Sequence, residues 1–365
     1  MAVGGGTITT LTTTSDITVQ GVTVGRGAGA VSTNTAVGAS ALAGSNTGIN
    51  NTAIGSSALV SNTSGNRNVA VGSSALASNT TGVENTAVGH DVASGNTTGS
   101  YNVAFGRSAM SSNTSGSYNS AIGFSALNSN TTASYSTAVG YQALKANTTG
   151  AENTAVGGNA GLANTTGSYN SVFGTASFVS NTSGASNTGV GHGTLGSNTT
   201  GSTNTAVGRD ALQANTTASN NTAVGYQAGY TGSTNCGNST LIGYQAGYTQ
   251  NNGIVGASEN TFVGYKAGYG VTTGVKNTFI GGGVGGGVGA GGAVTTGYNN
   301  TIIGTYTGNQ GGLDIRTANN YIVLSDGDGN PRLIINGSTG YFQTGLGASS
   351  PYNATTASAA NVNIF

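Results

Sequence analysis

The sequence predicts an all-β chain, a repetitive parallel β-solenoid or β-roll built from 17-residue coils. Three observations carry this: a glycine returns every 17 residues, a branched or aromatic apolar residue always precedes it, and Asn-Thr-Thr/Ser-Gly clusters fall between. The glycine runs from Gly38 through Gly55 and Gly72 to Gly225, twelve times without a slip. Gly243, Gly264, Gly281 and Gly304 then follow at spacings of 18, 21, 17 and 23, as expected of a coil that accepts insertions on one side. Composition agrees, because 365 residues with 66 Gly, 2 Pro and 5% charged residues fit no ordinary globular domain. Without the period the same mixture would read as disorder.

The chain divides into a lead-in or attachment segment (1–33), a solenoid shaft (34–304) and a β-rich tip or pre-chaperone region (305–365). Within a coil, the residue before the glycine (Val37, Ile54, Val71, Val88, Phe105, Ile122) is expected to form the core. One residue earlier stands Ala36, Ala53, Ala70 or Ala87, which alternation along a strand turns to the opposite face. Four residues after the glycine comes a second apolar column, Leu42, Leu59, Leu76 and Met110, suited to a returning strand, so two short strands per coil are expected. Asn62, Asn79, Asn96 and Asn113 mark one corner, and Asn51, Asn68, Asn85 and Asn102 another. Asn and Gly supply left-handed or turn conformations, and stacked amides can bond from coil to coil.

Twelve such coils would make a rod on the order of 55 Å long. Each coil offers about two large apolar side chains, worth about 1.5–3 kcal/mol apiece, which barely offsets the entropy of ordering it. A lone narrow solenoid is therefore marginal. The Ala/Gly face, or the strand edges beside it, is expected to pack against identical chains, with a homotrimeric fibre the simplest closed arrangement.

Nine basic and nine acidic residues balance to zero, which disfavours nucleic acid and anionic lipid as partners. Cys236 stands alone, so no intrachain disulfide framework is expected. No run of 18 apolar residues occurs and Met1–Gly6 carries no basic n-region, so neither membrane insertion nor Sec export is expected.

A search for chemistry yields no catalytic residue, metal site or cofactor, and the chain reads as not an enzyme. A polysaccharide depolymerase, the strongest enzymatic rival, needs paired carboxylates. Asp91 and Asp210 share a repeat position but lie seven repeats apart, and Glu84, Glu152 and Glu259 are likewise separated. Glu84 and Asp91, within one coil's length, read as solvated, and so do His90 and His192, six repeats apart. Asp326-Gly327-Asp328-Gly329-Asn330 lacks the later Glu of a calcium loop and is expected to turn a hairpin between 321–324 and 332–336. The string Gly281–Gly287 precedes no Lys-Ser/Thr pair and reads as an expanded corner, not a phosphate loop. Tyr226, Tyr230, Tyr244, Tyr248, Tyr265 and Tyr269 cluster toward the carboxy-terminal half. Tyrosine joins a stacking surface to a polar tip, so these residues either contact a receptor glycan or pack along exposed strands.

Runs such as Asn153-Thr154-Ala155-Val156-Gly157 and Tyr226-Gln227-Ala228-Gly229-Tyr230, alternating with Asn-Thr-Thr-Gly corners over about 34–304, resemble bacteriophage tail fibres. They also resemble the heads of trimeric autotransporter adhesins, less closely. Asp16–Gly27 is similar to the lead-in of such fibres, and Asn320–Arg332 to the stretch before an intramolecular chaperone domain. No chaperone domain follows before Phe365, which fits either its removal by self-cleavage or a chaperone-free fibre. The resemblance implies a homotrimer located in the virion. Its expected partners are other tail and baseplate proteins and a host cell-surface glycan. A bacterial trimeric surface adhesin is the alternative, although it would require a signal peptide and a membrane anchor, neither of which is expected from this sequence. A shaft with no binding role of its own is a further variant.

Overall fold

A computed structural model describes residues 16–19, 22–232, 236–250, 258–283 and 285–344. Among them every regular element is a strand, and the chain is a parallel β-solenoid that divides into two compact units, 1–166 and 167–365.

In the first unit, β1 (Ile17–Val19) and β2 (Val22–Gly25) form an antiparallel hairpin, and β2 runs antiparallel to β3 (Thr35–Val37). Asp16 holds this lead-in by accepting hydrogen bonds from the backbone N–H groups of Arg26 (2.6 Å) and Gly27 (2.8 Å). From β3 the coils stack in parallel: β4 (Thr52–Ile54), β5 (Val69–Val71), β6 (Thr86–Val88), β7 (Val103–Phe105), β8 (Ser120–Ile122), β9 (Thr137–Val139) and β10 (Thr154–Val156). Each residue pairs with its equivalent 17 positions on, Ala53 with Ala70 for example.

The second unit repeats the pattern with β11 (Ser171–Phe173), β12 (Thr188–Val190), β13 (Thr205–Val207), β14 (Thr222–Val224), β15 (Thr240–Ile242), β16 (Thr261–Val263), β17 (Thr278–Ile280) and β18 (Thr301–Ile303). Strand pairing stays in register through the irregular spacings: Thr240 faces Thr261, 21 residues on, and Thr278 faces Thr301, 23 on. The extra residues therefore lie outside the ladder. A small hairpin, β19 (Asn309–Gln310) and β20 (Leu313–Asp314), precedes β21 (Tyr321–Ser325), which continues the parallel ladder on β18. β22 (Pro331–Asn336) and β23 (Tyr341–Thr344) then close the unit as an antiparallel meander. The predicted hairpin at Asp326–Asn330 is present. The Asp326 carboxylate accepts hydrogen bonds from the Asp328 and Asn330 backbone N–H groups and from Arg332.

The sidedness of the strand is the reverse of the expected one. The Ala column points inward: Ala36, Ala53, Ala70, Ala121 and Ala138 are fully buried. The branched and aromatic column points outward, with Ile54 40%, Phe105 39%, Ile122 43%, Phe173 43% and Ile303 46% exposed. Volume explains the reversal. The opposite wall of most of these narrow coils sends a large side chain such as Leu42, Leu59, Leu76, Met110 or Leu127 fully into the interior, and beside a leucine only a methyl group fits.

Only one strand forms per coil, because the leucine sits not on a returning strand but at a left-handed turn. Leu42, Leu59, Met110 and Leu127 have φ of 49°, 50°, 52° and 49°. An L-residue there costs roughly 1–2 kcal/mol, which burial of the leucine side chain, about 1.5–3 kcal/mol, offsets. Backbone groups are bonded coil to coil off the strand as well: Leu59 N–H donates to Ala75 O at 3.0 Å and Ser57 N–H to Ala39 O at 2.8 Å.

The ruler glycines do what no other residue can. Gly123 has φ of 133°, and a Cβ there would lie 2.4 Å from the Gly140 carbonyl oxygen.

Both asparagine columns are buried ladders, as the sequence predicts. Asn79, Asn96 and Asn113 each donate from Nδ2 to the Oδ1 of the preceding asparagine, at 2.9, 2.8 and 2.6 Å. In the other column the Asn68 backbone N–H donates to Asn51 Oδ1 (2.9 Å) and Asn68 Nδ2 to Gly82 O (2.9 Å). These asparagines are not the left-handed residues. That conformation falls on the leucine column, on the residue two before it (Ser57, Ser74, Ser108) and on a third column, Arg67, Glu84 and Tyr101.

Candidate ligand-binding platform

Three consecutive coils of the second unit carry the same five-residue turn after β14, β15 and β16: Tyr226–Tyr230, Tyr244–Tyr248 and Tyr265–Tyr269. Each reads Tyr-Gln/Lys-Ala-Gly-Tyr. The second residue is left-handed (Gln227 52°, Gln245 52°, Lys266 51°), which turns the chain so that the alanine enters the interior and both tyrosines stay outside it. Ala228, Ala246 and Ala267 are fully buried beneath the turn. The glycine has a core reason: from β15 onward the inward strand position enlarges to Leu241, Phe262 and Phe279, and a Cβ at Gly268 would lie 2.4 Å from the Phe262 ring. In these coils the pairing of Ala with Leu has become Phe or Leu with Gly.

The six tyrosines named from the sequence come together as two ladders. Tyr226, Tyr244 and Tyr265 stack at ring-centroid distances of 5.2 and 5.1 Å, and Tyr230, Tyr248 and Tyr269 at 5.2 and 5.1 Å. The first ladder is about two-fifths exposed and the second half-buried. Between them runs a polar row that sequence reasoning missed. Gln245 Nε2 donates to Gln227 Oε1 at 2.9 Å, and Lys266 Nζ stands 5.3 Å from the Tyr265 ring centroid and 5.5 Å from that of Tyr269. The signal was in the sequence as the repeated Tyr-Gln-Ala-Gly-Tyr. Burial pushes the Tyr248 phenol up, and the neighbouring Tyr269 and Tyr230 add to the shift.

Stacking decides what this surface can do. Rings within a ladder cover one another's faces, so most of what they offer is edges and phenolic oxygens, with amides between them. Such a surface suits the hydroxyls and C–H faces of an extended polar ligand.

A third ladder, absent from the sequence reading, stands in the first unit. Tyr101, Tyr118 and Tyr135 stack at 4.8 and 5.0 Å, each at a left-handed position with φ of 60°. Its signal was a tyrosine five residues before three successive ruler glycines.

Most of the remaining polar candidates are held in local pairs. Glu84 bonds Arg67 at 2.8 Å, His90 Nδ1 lies 2.9 Å from Asp91, Asp210 lies 3.3 Å from Arg209 and 3.9 Å from His192, and Glu259 lies 3.9 Å from Lys276. Both histidine side chains are more than half exposed, as the solvent-facing reading expects. Among the described residues no group of three His, Cys, Asp or Glu side chains is placed to hold a metal ion.

Fold and surface together define a parallel β-solenoid repeat protein bearing stacked-tyrosine ladders. No protein-family model, curated protein or solved structure matches the chain.

Proposed function

We propose that this protein is a structural fibre of the bacteriophage tail type, a homotrimer that joins other tail and baseplate proteins in the virion and meets a host-surface glycan. Its role is mechanical and adhesive, not enzymatic. The observation that carries the reading is the outward column on the strands. In the first unit Ile54, Phe105 and Ile122, and in the second Phe173, Val190, Val224, Ile242, Ile280 and Ile303, are 36–46% exposed, and the valines between them in the column are partly exposed. An apolar stripe with the period of the coil finds its natural complement in a second copy of itself. The stripe widens at the last coils: Ile303 faces Leu324, and the Thr301 position is taken over by Ile322, which pairs with Ile335 and through it Phe342. The contact is therefore assigned to the Val/Ile/Phe face, in place of the Ala/Gly face expected from the sequence. The tyrosine platform supports the glycan-binding part of the proposal.

Light scattering with negative-stain imaging tests the assembly. A mass near three times 35.2 kDa is expected, falling to 35.2 kDa when Phe105→Lys and Ile122→Lys are combined. A wild-type monomer would end the proposal.

A further inference from the structure

The tyrosine platform has one charge, and that charge has no carboxylate. Of the five cations in the second unit, Arg209 pairs with Asp210 at 3.3 Å, Lys276 with Glu259 at 3.9 Å, Arg316 with Asp314 at 2.7 Å, and Arg332 with Asp326. Of these five, Lys266 alone makes no ion pair among the described residues. Its ammonium instead lies over the last ring of each ladder, Tyr265 and Tyr269. The position is one the fold fills with an amide in the two preceding coils, Gln227 and Gln245, so the lysine is not needed for folding. In the following coil the residue after the ruler glycine is Gly282, which offers no side chain to stack on Tyr265.

We propose that Tyr265, Lys266 and Tyr269 form the anion-reading end of the platform and bind a carboxylate-bearing sugar of a host-surface polysaccharide. The proposal rests on the adhesive reading above and adds the ligand class. A cation held against aromatic rings keeps its charge while shedding part of its water, and an arriving carboxylate gains a charge-assisted hydrogen bond. The pyranose ring beside that carboxylate meets tyrosine edges, and the neutral hydroxyls of neighbouring sugars meet the amides of Gln245 and Gln227 and the phenols along the ladders.

Charge density selects the class. One lysine over three coils, in a chain of zero net charge, cannot neutralise a polyphosphate or a heavily sulfated chain, whose binding needs several cations. It matches a polymer of mostly neutral sugars with an occasional acidic one. The 5.1–5.2 Å step of the ladders is comparable with the length of one pyranose unit, so successive sugars can meet successive coils.

The test is binding of the full-length protein to a glycan array holding uronic- and sialic-acid oligosaccharides, their methyl esters, neutral oligosaccharides and sulfated ones. The wild type is expected to retain carboxylated members and to lose about tenfold or more in affinity on esterification. Lys266→Gln should abolish that preference while leaving residual neutral binding, and Lys266→Arg should restore it. Tyr244→Ala should weaken acidic and neutral binding alike. Carboxylate binding unchanged in Lys266→Gln, or a preference for neutral or sulfated members, overturns the proposal but leaves the adhesive reading standing. Retention of no glycan at all overturns both.

Discussion

Replacing Phe262 by Ala and Gly268 by Leu, separately and then together, rebuilds in one coil of the second unit the pairing used in the first. Phe262 is fully buried and stacks on Phe279 at 5.0 Å, so Phe262→Ala leaves a cavity and should cost about 3–5 kcal/mol. Gly268→Leu alone places a Cβ 2.4–2.7 Å from the Phe262 ring. Overpacking should cost about 1–3 kcal/mol and the left-handed backbone about 1–2 more. Together the two changes recreate Ala53 with Leu59, where a leucine at φ 50° is fully buried, and Gly268 already sits at φ 60°. The double variant should therefore keep only the backbone strain and some imperfect packing on Phe279, about 2 kcal/mol. A favourable coupling of at least about 3 kcal/mol follows, read from urea unfolding and from hydrogen exchange of the amides in β16. Costs that add to within about 0.5 kcal/mol would refute the volume-exchange account of the core.

Gly123→Ala, which drives a Cβ into the Gly140 carbonyl at φ 133°, should prevent that coil from closing, whereas Gly285→Ala, with nothing within 4 Å, should cost about 1 kcal/mol; thermal melts of the two separate these outcomes. Asn113→Ala removes the bonds from Asn113 Nδ2 to Asn96 Oδ1 and Gly116 O and leaves Asn130 Nδ2 with only its bond to Ala133 O, so a loss of about 2–3 kcal/mol is expected in chemical denaturation. The hydrogen bonds from Arg316 hold the Asp314 carboxyl down at about 2. Because its folded value lies below the ordinary 3.8, the stabilisation is complete above that pH and disappears as pH falls through about 2; exchange at the Arg316 amide should rise over that window, and not in Asp314→Asn. Tyr248 carries the opposite sign: its raised phenol favours the neutral ladder, whose stability is present below about pH 10 and lost above it. Ultraviolet titration should show a phenol that ionises above the ordinary value of 10.

The period, the two asparagine ladders and the closing hairpin were legible because each rests on local chemistry that stacking repeats. Sidedness was not. Ranking side chains by hydrophobicity sends Val37 inward and Ala36 outward, but the narrow interior ranks them by volume, and the leucine opposite has already filled the space. The sequence held a clue in the exchange of Ala and Leu for Phe262 and Gly268, since compensating sizes mark positions that share a space. The left-handed leucine had no such signal, because propensity alone argues against it. The tyrosines were legible as a group from their spacing. Their arrangement as ladders with Lys266 at one end required coordinates, because stacking depends on which of two turn residues faces out.

Between the two core types lies one coil that belongs to neither. It carries Ala223 on the strand and Gly229 at the turn, small at both positions, and a Cβ at Gly229 would lie 2.8 Å from both Leu212 of the preceding coil and Leu241 of the next. Large side chains from either side share the space it leaves. This bears on how such a chain can change length over generations. Duplicating or deleting a coil within an uninterrupted Ala/Leu run, such as Ala36/Leu42 to Ala70/Leu76, preserves every size match, so growth there is nearly neutral. Moving a coil across this adaptor sets leucine against phenylalanine or leaves a void. The chain can lengthen by unequal exchange on the Ala/Leu side, while the adaptor and the Leu241 and Phe262 coils after it, which together carry the tyrosine platform, are inherited as one block.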